Sequence, residues 1–243
     1  MVSARQTFLT AGHFVPMAQA LEAVVARHAF NPGLVFEAGA GTGYYIARVL
    51  DALPLARGLA LDLSTNAARR ASRAHPRLSA VVADAMDGLP LKDESVDIAL
   101  SVFAPRPARE LARTLRPGGK LVVAMPTQAH LEEVRKSLRL LNVDPEKEAR
   151  LAASLSPWFQ LIEVESVRWS MMLERPMAAA LVGMGPSARH IHRDELHAFV
   201  DRLPILSQVR GSVHLRVYVR SEMGSSRTGV QDRSSGQELH AKS

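Results

Sequence analysis

The chain has 243 residues, no cysteine, and 30 basic against 24 acidic side chains, for a formal net charge of +6. That length fits one large domain with a sizeable core, and the missing cysteines exclude disulfides, thiolate nucleophiles and cysteine-ligated zinc within it. No apolar run approaches the roughly 18 residues that span a bilayer and residues 1–9 lack the apolar core of a signal peptide, so a cytoplasmic protein without membrane contact is expected, its positive charge suiting a polyanionic partner without establishing one.

Phe8, Leu9, Met17, Leu21, Val24 and Val25 recur at helical spacing, interrupted by Gly12 and Pro16, so residues 1–30 read as a helical segment. Residues 31–221 read as one domain. From Gly33 to Pro126 short β-branched runs alternate with amphipathic stretches. Strands are expected at 34–38, 58–62, 79–83, 96–101 and 120–125, with helices at 44–52, 64–74 and 106–115. Apolar strands interleaved with helices imply a parallel sheet covered on both faces, an α/β fold. Further on, 128–141 and 145–155 read as helices, 159–172 as a long strand, and 175–182 and 193–200 as shorter helices. Residues 209–221 alternate Val213, Leu215, Val217 and Val219 with polar neighbours, a half-buried strand. Two late strands paired without a crossover would form an antiparallel hairpin at the sheet edge. Residues 222–243, rich in Ser, Gly, Lys and Arg, read as a disordered tail.

The most informative stretch is Val35-Phe36-Glu37-Ala38-Gly39-Ala40-Gly41-Thr42-Gly43-Tyr44, a strand entering alternate glycines before a helix. Gly39, Gly41 and Gly43 permit a tight turn and a close ligand approach. A dinucleotide site wants G-x-G-x-x-G, so that a helix N-terminus holds pyrophosphate. Here an acid precedes the glycines, and Glu37 suits the cationic methionine end of S-adenosylmethionine, unless it only caps the turn. Asp62 ends the next strand, 25 residues on, followed by Leu63, where a carboxylate can hold both ribose hydroxyls. Asp84 ends the strand after that and could meet the adenine amino group, with the Ala85 N–H on the ring. Each acid alone is also a possible helix cap; three at successive strand ends make a stronger set.

Together with Leu89-Pro90-Leu91, Ser95-Val96-Asp97-Ile98-Ala99-Leu100 and Arg116-Pro117-Gly118-Gly119-Lys120, these motifs resemble class I, S-adenosylmethionine-dependent methyltransferases between Leu34 and Met125. That resemblance implies a Rossmann-like, mostly parallel seven-stranded sheet with helices on both faces and an antiparallel edge hairpin. The flanks, Arg5-Gln6-Thr7-Phe8-Leu9, Gly12-His13-Phe14-Val15-Pro16, Gly43-Tyr44-Tyr45, Phe103-Ala104-Pro105 and Met125-Pro126 before His130-Leu131, are similar to the RlmA (RrmA, TlrB-like) family. Its members methylate guanine N1 in a 23S ribosomal RNA hairpin loop, and an actinobacterial branch confers resistance to mycinosylated macrolides such as tylosin. The family's cofactor contacts would fall on Phe14, Tyr45, Asp62 and His130, with Phe14 standing where some members carry Tyr. A core aromatic and a surface histidine at a helix start are the plainer readings of Phe14 and His130. Family members begin with a four-cysteine zinc finger; this chain is expected either to lack it or to start downstream of it. The resemblance is compatible with a homodimer.

Acceptor-binding candidates are Phe103, Pro105 and Arg106 beyond the fourth strand, and Arg189 in the stretch Met184-Gly185-Pro186-Ser187-Ala188-Arg189. Phe103 could stack on an extruded guanine or simply pack. Arg106, Arg109 and Arg113 share a helical face, as Arg135 and Lys136 add further charge, though such runs are usually solvated. No general base is evident, and no metal site is expected, the His190/His192 pair lacking partners. A small-molecule methyltransferase, or a protein that binds S-adenosylmethionine without turnover, would keep the same cofactor motifs.

Overall fold

The structure is a computed structural model and describes residues 1–137, 146–185, 198 and 200–221. In chain order it comprises α1 (Val2–Thr10), α2 (Val15–His28), β1 (Leu34–Ala38), α3 (Tyr44–Ala52), β2 (Arg57–Asp62), α4 (Thr65–Ala71), β3 (Leu78–Val82), β4 (Val96–Val102), α5 (Ala108–Thr114), β5 (Leu115–Pro126), α6 (Glu132–Ser137), α7 (Lys147–Leu155), β6 (Phe159–Glu174), α8 (Arg175–Met184) and β7 (Leu206–Arg220). The expected helix at 193–200, Arg189, His190 and His192, and residues 222–243 lie wholly or mostly outside the described residues.

The strands form one sheet in the order β3-β2-β1-β4-β5-β7-β6. β1 to β5 pair in parallel, whereas β7 runs antiparallel between β5 and β6. The expected edge hairpin is therefore present, with its later strand on the inside. Because the chain moves outward from β1 in one direction and then returns to start again at β4, the switch point lies between β1 and β4. A crevice opens there beyond the strands' carboxyl ends, the usual ligand position of such sheets.

Strand alternation divides the core. Val35, Ile98, Leu100 and Val122 join Phe8, Met17, Leu21 and Ile46 on one face. Phe36, Ala38, Ala99 and Leu121 join Leu111, Phe159 and Tyr218 on the other. The two faces of β1 thus serve two layers, so the strand is apolar on both sides apart from Glu37 near its end. Among the described residues no single helix is long and apolar enough to cross a membrane.

Two of the boundaries that depart from the sequence reading bear on the site. α5 starts only at Ala108, after Pro107, so Arg106 sits in the preceding turn and does not share a helical face with Arg109 and Arg113. α6 starts at Glu132, because Leu131 takes a left-handed backbone (φ 53°) that breaks the helical path. His130 is consequently held in a turn.

A long side chain ties the late strands to the N-terminal helices. Trp169 of β6 donates from Nε1 to the His13 carbonyl at 2.9 Å and meets the Phe14 ring edge-on, 5.2 Å between centroids. Its register partner on β7 is Gly211. A β-carbon there would lie 2.2 Å from the indole, so the ring occupies the space that a side chain would need.

Candidate functional site

A cavity of about 270 Å³ lies at the carboxyl ends of β1 and β4. Its wall at the glycine turn is Glu37, Gly39, Ala40, Thr42, Tyr44 and Tyr45. Val102, Phe103 and Arg106 come from the exit of β4, and Pro126, His130 and Leu131 from the exit of β5. α1, the α1–α2 corner and α8 close it with Arg5, Leu9, Phe14, Leu181, Met184 and Gly185.

Glu37 is 1 % exposed and accepts one hydrogen bond, from the Ile46 N–H at 3.2 Å. Burial pushes its carboxyl up to about 8, opposed by that bond and by the Arg5 charge and reinforced by the Asp62 charge. A buried acid of this kind gains most from a bound cation. Gly39, Gly41 and Gly43 all adopt positive φ, 67°, 58° and 77°, a turn of three left-handed residues that only glycine enters freely. Gly39 also lies under Ala104, whose Cβ would be 2.6 Å from an added β-carbon, with Pro105 beyond it. Tyr45 is buried, and its desolvation raises the phenol well above its ordinary value, so it stays neutral.

Asp62, Leu63, Asp84 and Ala85 stand outside the cavity wall, at the ends of β2 and β3 beside it. Asp62 accepts from the Gly41 N–H at 2.8 Å and from the Ser64 N–H at 2.9 Å, which braces the glycine turn. Leu63 is exposed, whereas Ala85 is buried. Asp84 caps a short 3-10 turn, accepting from the Met86 N–H at 2.9 Å. These four residues follow the carboxyl ends of β2 and β3, the strands next to β1 in the sheet, a ledge along which an extended nucleoside would lie.

On the opposite side the rings gather. Phe103 stacks on His130 (centroids 5.7 Å apart, planes 27°), and Phe14 lies 6.0 Å from His130 and 6.5 Å from Phe103. Phe14 and His130 are both buried, so His130 is a wall residue and Phe14 packs and lines the site at once. Phe103 remains 38 % exposed and is held at φ 55°, an unfavourable backbone for a bulky residue. The Ser212 N–H donates to His130 Nδ1 at 3.1 Å, and burial, aided by the Arg135 charge, pushes the imidazole down to about 4. At neutral pH the ring is uncharged and carries its proton on Nε2.

Most of the basic residues considered for phosphate contact are occupied internally. Arg113 pairs with Glu110 at 2.7 Å and Asp93 at 2.5 Å and donates to the carbonyls of Leu89 and Leu91, holding Glu110 down at about 2. Arg135 donates to the His130 carbonyl at 2.9 Å, and Lys136 pairs with Glu132 at 2.6 Å. Arg109 is exposed. Arg106 differs: it is half-buried in the cavity wall, and makes no hydrogen bond or ion pair among the described residues. No group of three His, Asp or Glu side chains is placed to hold a metal ion among the described residues. The sequence reading gave no side-chain role to Arg5, Tyr44 or Leu181, and it quoted Met184 only in the stretch that leads to Arg189. The Tyr44 hydroxyl is buried without a hydrogen-bond partner.

S-adenosylmethionine fits this donor set. Glu37 would hold its ammonium, the glycine turn would leave room for the methionine backbone, and Asp62 and Asp84 would meet ribose and adenine. Among the described residues the Ala40, Gly41 and Gly43 N–H groups of the turn are already bonded, to the Leu61 carbonyl, the Asp62 carboxylate and the Ala40 carbonyl.

Residues 36–123 match the methyltransferase-domain family. The chain is also 44 % identical over 219 residues to the 23S rRNA (guanine(748)-N(1))-methyltransferase of Streptomyces fradiae, covering 89 % of this chain and 78 % of that protein. It belongs to the 23S rRNA (guanine-N1)-methyltransferase family. A Micromonospora griseorubida protein named for the same class of activity is 45 % identical over 232 residues, covering 90 % of this chain and 79 % of its own length. Among solved structures, that of the MccD protein superposes with a TM-score of 0.55 at 14 % identity, covering 83 % of this chain and 96 % of that one; this shows the shared fold alone. Members of the family are S-adenosylmethionine-dependent enzymes. Asp62 is open to test with that cofactor: Asp62→Ala removes the brace on the Gly41 N–H and the carboxylate that would accept from the ribose. Calorimetry is expected to show S-adenosylmethionine binding weaker by about 1–3 kcal/mol; unchanged affinity would detach the ledge from the nucleoside.

Proposed function

We propose that this protein methylates N1 of a guanine in a 23S ribosomal RNA hairpin loop, the counterpart of the position numbered 748 in the Streptomyces relative's name, in the cytoplasm where ribosomes are made. We further propose that this modification confers resistance to mycinosylated macrolides such as tylosin. The observation that carries the reading is a single cavity with an acid buried at the glycine turn and a ring stack, Phe103 on His130, across from it.

S-adenosylmethionine supplies an electrophilic methyl group on a sulfonium. The chain's part is to hold guanine N1 in line with that group and to stabilise the charge that develops. Phe103 presents a partly exposed ring on which an extruded base stacks. His130 cannot take the N1 proton, because Nδ1 already accepts from Ser212; its Nε2–H is available to donate to a guanine carbonyl oxygen. Glu37 is committed to the ammonium. With no free base among the described wall residues, the proton leaves to solvent, and the Arg106 guanidinium balances the negative charge spread over N1 and O6.

Arg106→Met is therefore expected to lower kcat about 10- to 100-fold with S-adenosylmethionine affinity unchanged. The rate should also keep rising to higher pH than in the wild type, as ionisation of N1 loses its nearby cation. A loss confined to KM would reduce Arg106 to a docking contact.

The overall reading is tested with radiolabelled S-adenosylmethionine and unmodified 23S RNA. Label in the RNA, mapped to one guanine by primer-extension arrest and falling steeply with salt, supports it. Unlabelled RNA alongside a labelled metabolite would replace it with small-molecule methylation.

A further inference from the structure

Arg5 enters the sequence reading only within a flanking motif, with no role of its own, yet α1 sets its guanidinium directly over the glycine turn. Nη1 lies 2.7 Å from where a β-carbon on Gly41 would stand, and Cδ 3.4 Å away. Nη2 reaches only a long contact, 3.5 Å, to the Met184 carbonyl. Among the described residues Arg5 forms no ion pair, although its charge is felt by Glu37 in the same wall. The cavity thus holds an acid and a base on either side of one turn, near enough to influence each other and not in contact. A pair so arranged complements a molecule with a cation and an anion on one carbon, and an α-amino acid is that molecule.

We propose that Arg5 binds the α-carboxylate of the methionyl end of S-adenosylmethionine while Glu37 binds its ammonium. This rests on the reading that the cavity is the methyl-donor site. Arginine suits the task, because its planar fork matches a carboxylate in two parallel hydrogen bonds. The assignment also accounts for the glycine at position 41 beyond its backbone angle: any side chain there would occupy the guanidinium's place. It further gives α1 a role in binding, since α1, packed on α8, becomes the element that closes the donor site.

The test is a ligand-truncation cycle by calorimetry. Decarboxylated S-adenosylmethionine keeps the adenosine, sulfonium and ammonium and lacks only the carboxylate. The wild type is expected to bind it about 10- to 100-fold more weakly than the intact cofactor. Arg5→Met should lose that same factor for the intact cofactor, bind the truncated one as the wild type does, and so no longer distinguish the two. Arg5→Lys, which keeps charge without the fork, should recover part of the discrimination; it also serves if the methionine variant melts below the wild type. Equal weakening of both ligands by Arg5→Met would overturn the proposal in favour of helix packing. Intact cofactor affinity with reduced RNA affinity would overturn it in favour of a phosphate contact. Failure of the wild type to bind either ligand would overturn it by removing the donor site itself, a result distinct from the other two.

Discussion

Glu37→Gln is expected to make the free protein more stable at alkaline pH and at the same time to cripple cofactor binding. The carboxyl titrates at 4.5 in an ordinary environment and at about 8 in the fold. The native state therefore holds a proton that the unfolded chain has released. Stability is highest below pH 4.5 and falls as pH rises through about 8, where the ionised carboxylate must be buried. That rise corresponds to about 5 kcal/mol at full ionisation. Glutamine keeps the shape and can still accept from the Ile46 N–H, but it has no charge to bury. At pH 9 its melting midpoint should lie on the order of 10 °C above the wild type, with the two converging near pH 4. Binding moves the other way. An amide cannot neutralise the ammonium, so affinity for S-adenosylmethionine should fall at least about 10-fold. In the wild type, Glu37 must ionise as the cation arrives, so calorimetry near pH 7 in buffers of different ionisation enthalpy should register about one proton released per cofactor bound. A midpoint difference that ignores pH, or binding without proton release, would remove Glu37 from the ammonium.

The second large effect is expected just behind the cavity wall, at Gly211. An added methyl would overlap the Trp169 indole, and the backbone on both sides is fixed by the β6–β7 ladder. The indole must therefore move. In doing so it gives up its hydrogen bond to the His13 carbonyl and its edge contact with Phe14. Overpacking and the lost bond together place Gly211→Ala at about 3 kcal/mol of destabilisation in urea titration. Because Phe14 lines the cavity, cofactor affinity should drop as well. Adding Trp169→Phe, which clears the space, should make the double variant less destabilised than the two single costs combined. Simple additivity would mean that glycine and indole do not compete for that volume.

Local signals carried much of the fold. β1 and α3 fall where apolar alternation and the glycine turn put them, because the turn chemistry and the helix start coincide at Gly43-Tyr44. The parallel sheet followed from strands apolar on both faces. The placement of β7 inside β6 was not legible, since alternation along a strand says which face is buried and nothing about which neighbour it pairs with. Boundaries failed where a single backbone angle decided them, as at Leu131. The chain order of acids along β1 to β3 was readable because each ends a strand. Arg5 was not, because its role depends on where α1 is laid across the sheet, a tertiary fact without a local pattern. Arg106 looked like one more charge on a helix and proves to be set apart by the absence of an acid beside it among the described residues. His130 changed most, from a histidine at a helix start to a tautomer fixed by a strand 82 residues away.

The position of β7 has a bearing on how the enzyme comes into being. β6 joins the sheet only through β7, which follows it in the chain, and β6 carries the indole that backs Phe14. During translation the first five strands can assemble as they emerge, but β6 has no strand of the sheet to pair with until residues 206–220 have been synthesised. A nascent chain thus completes the sheet behind Phe14 only after β7 has left the exit tunnel.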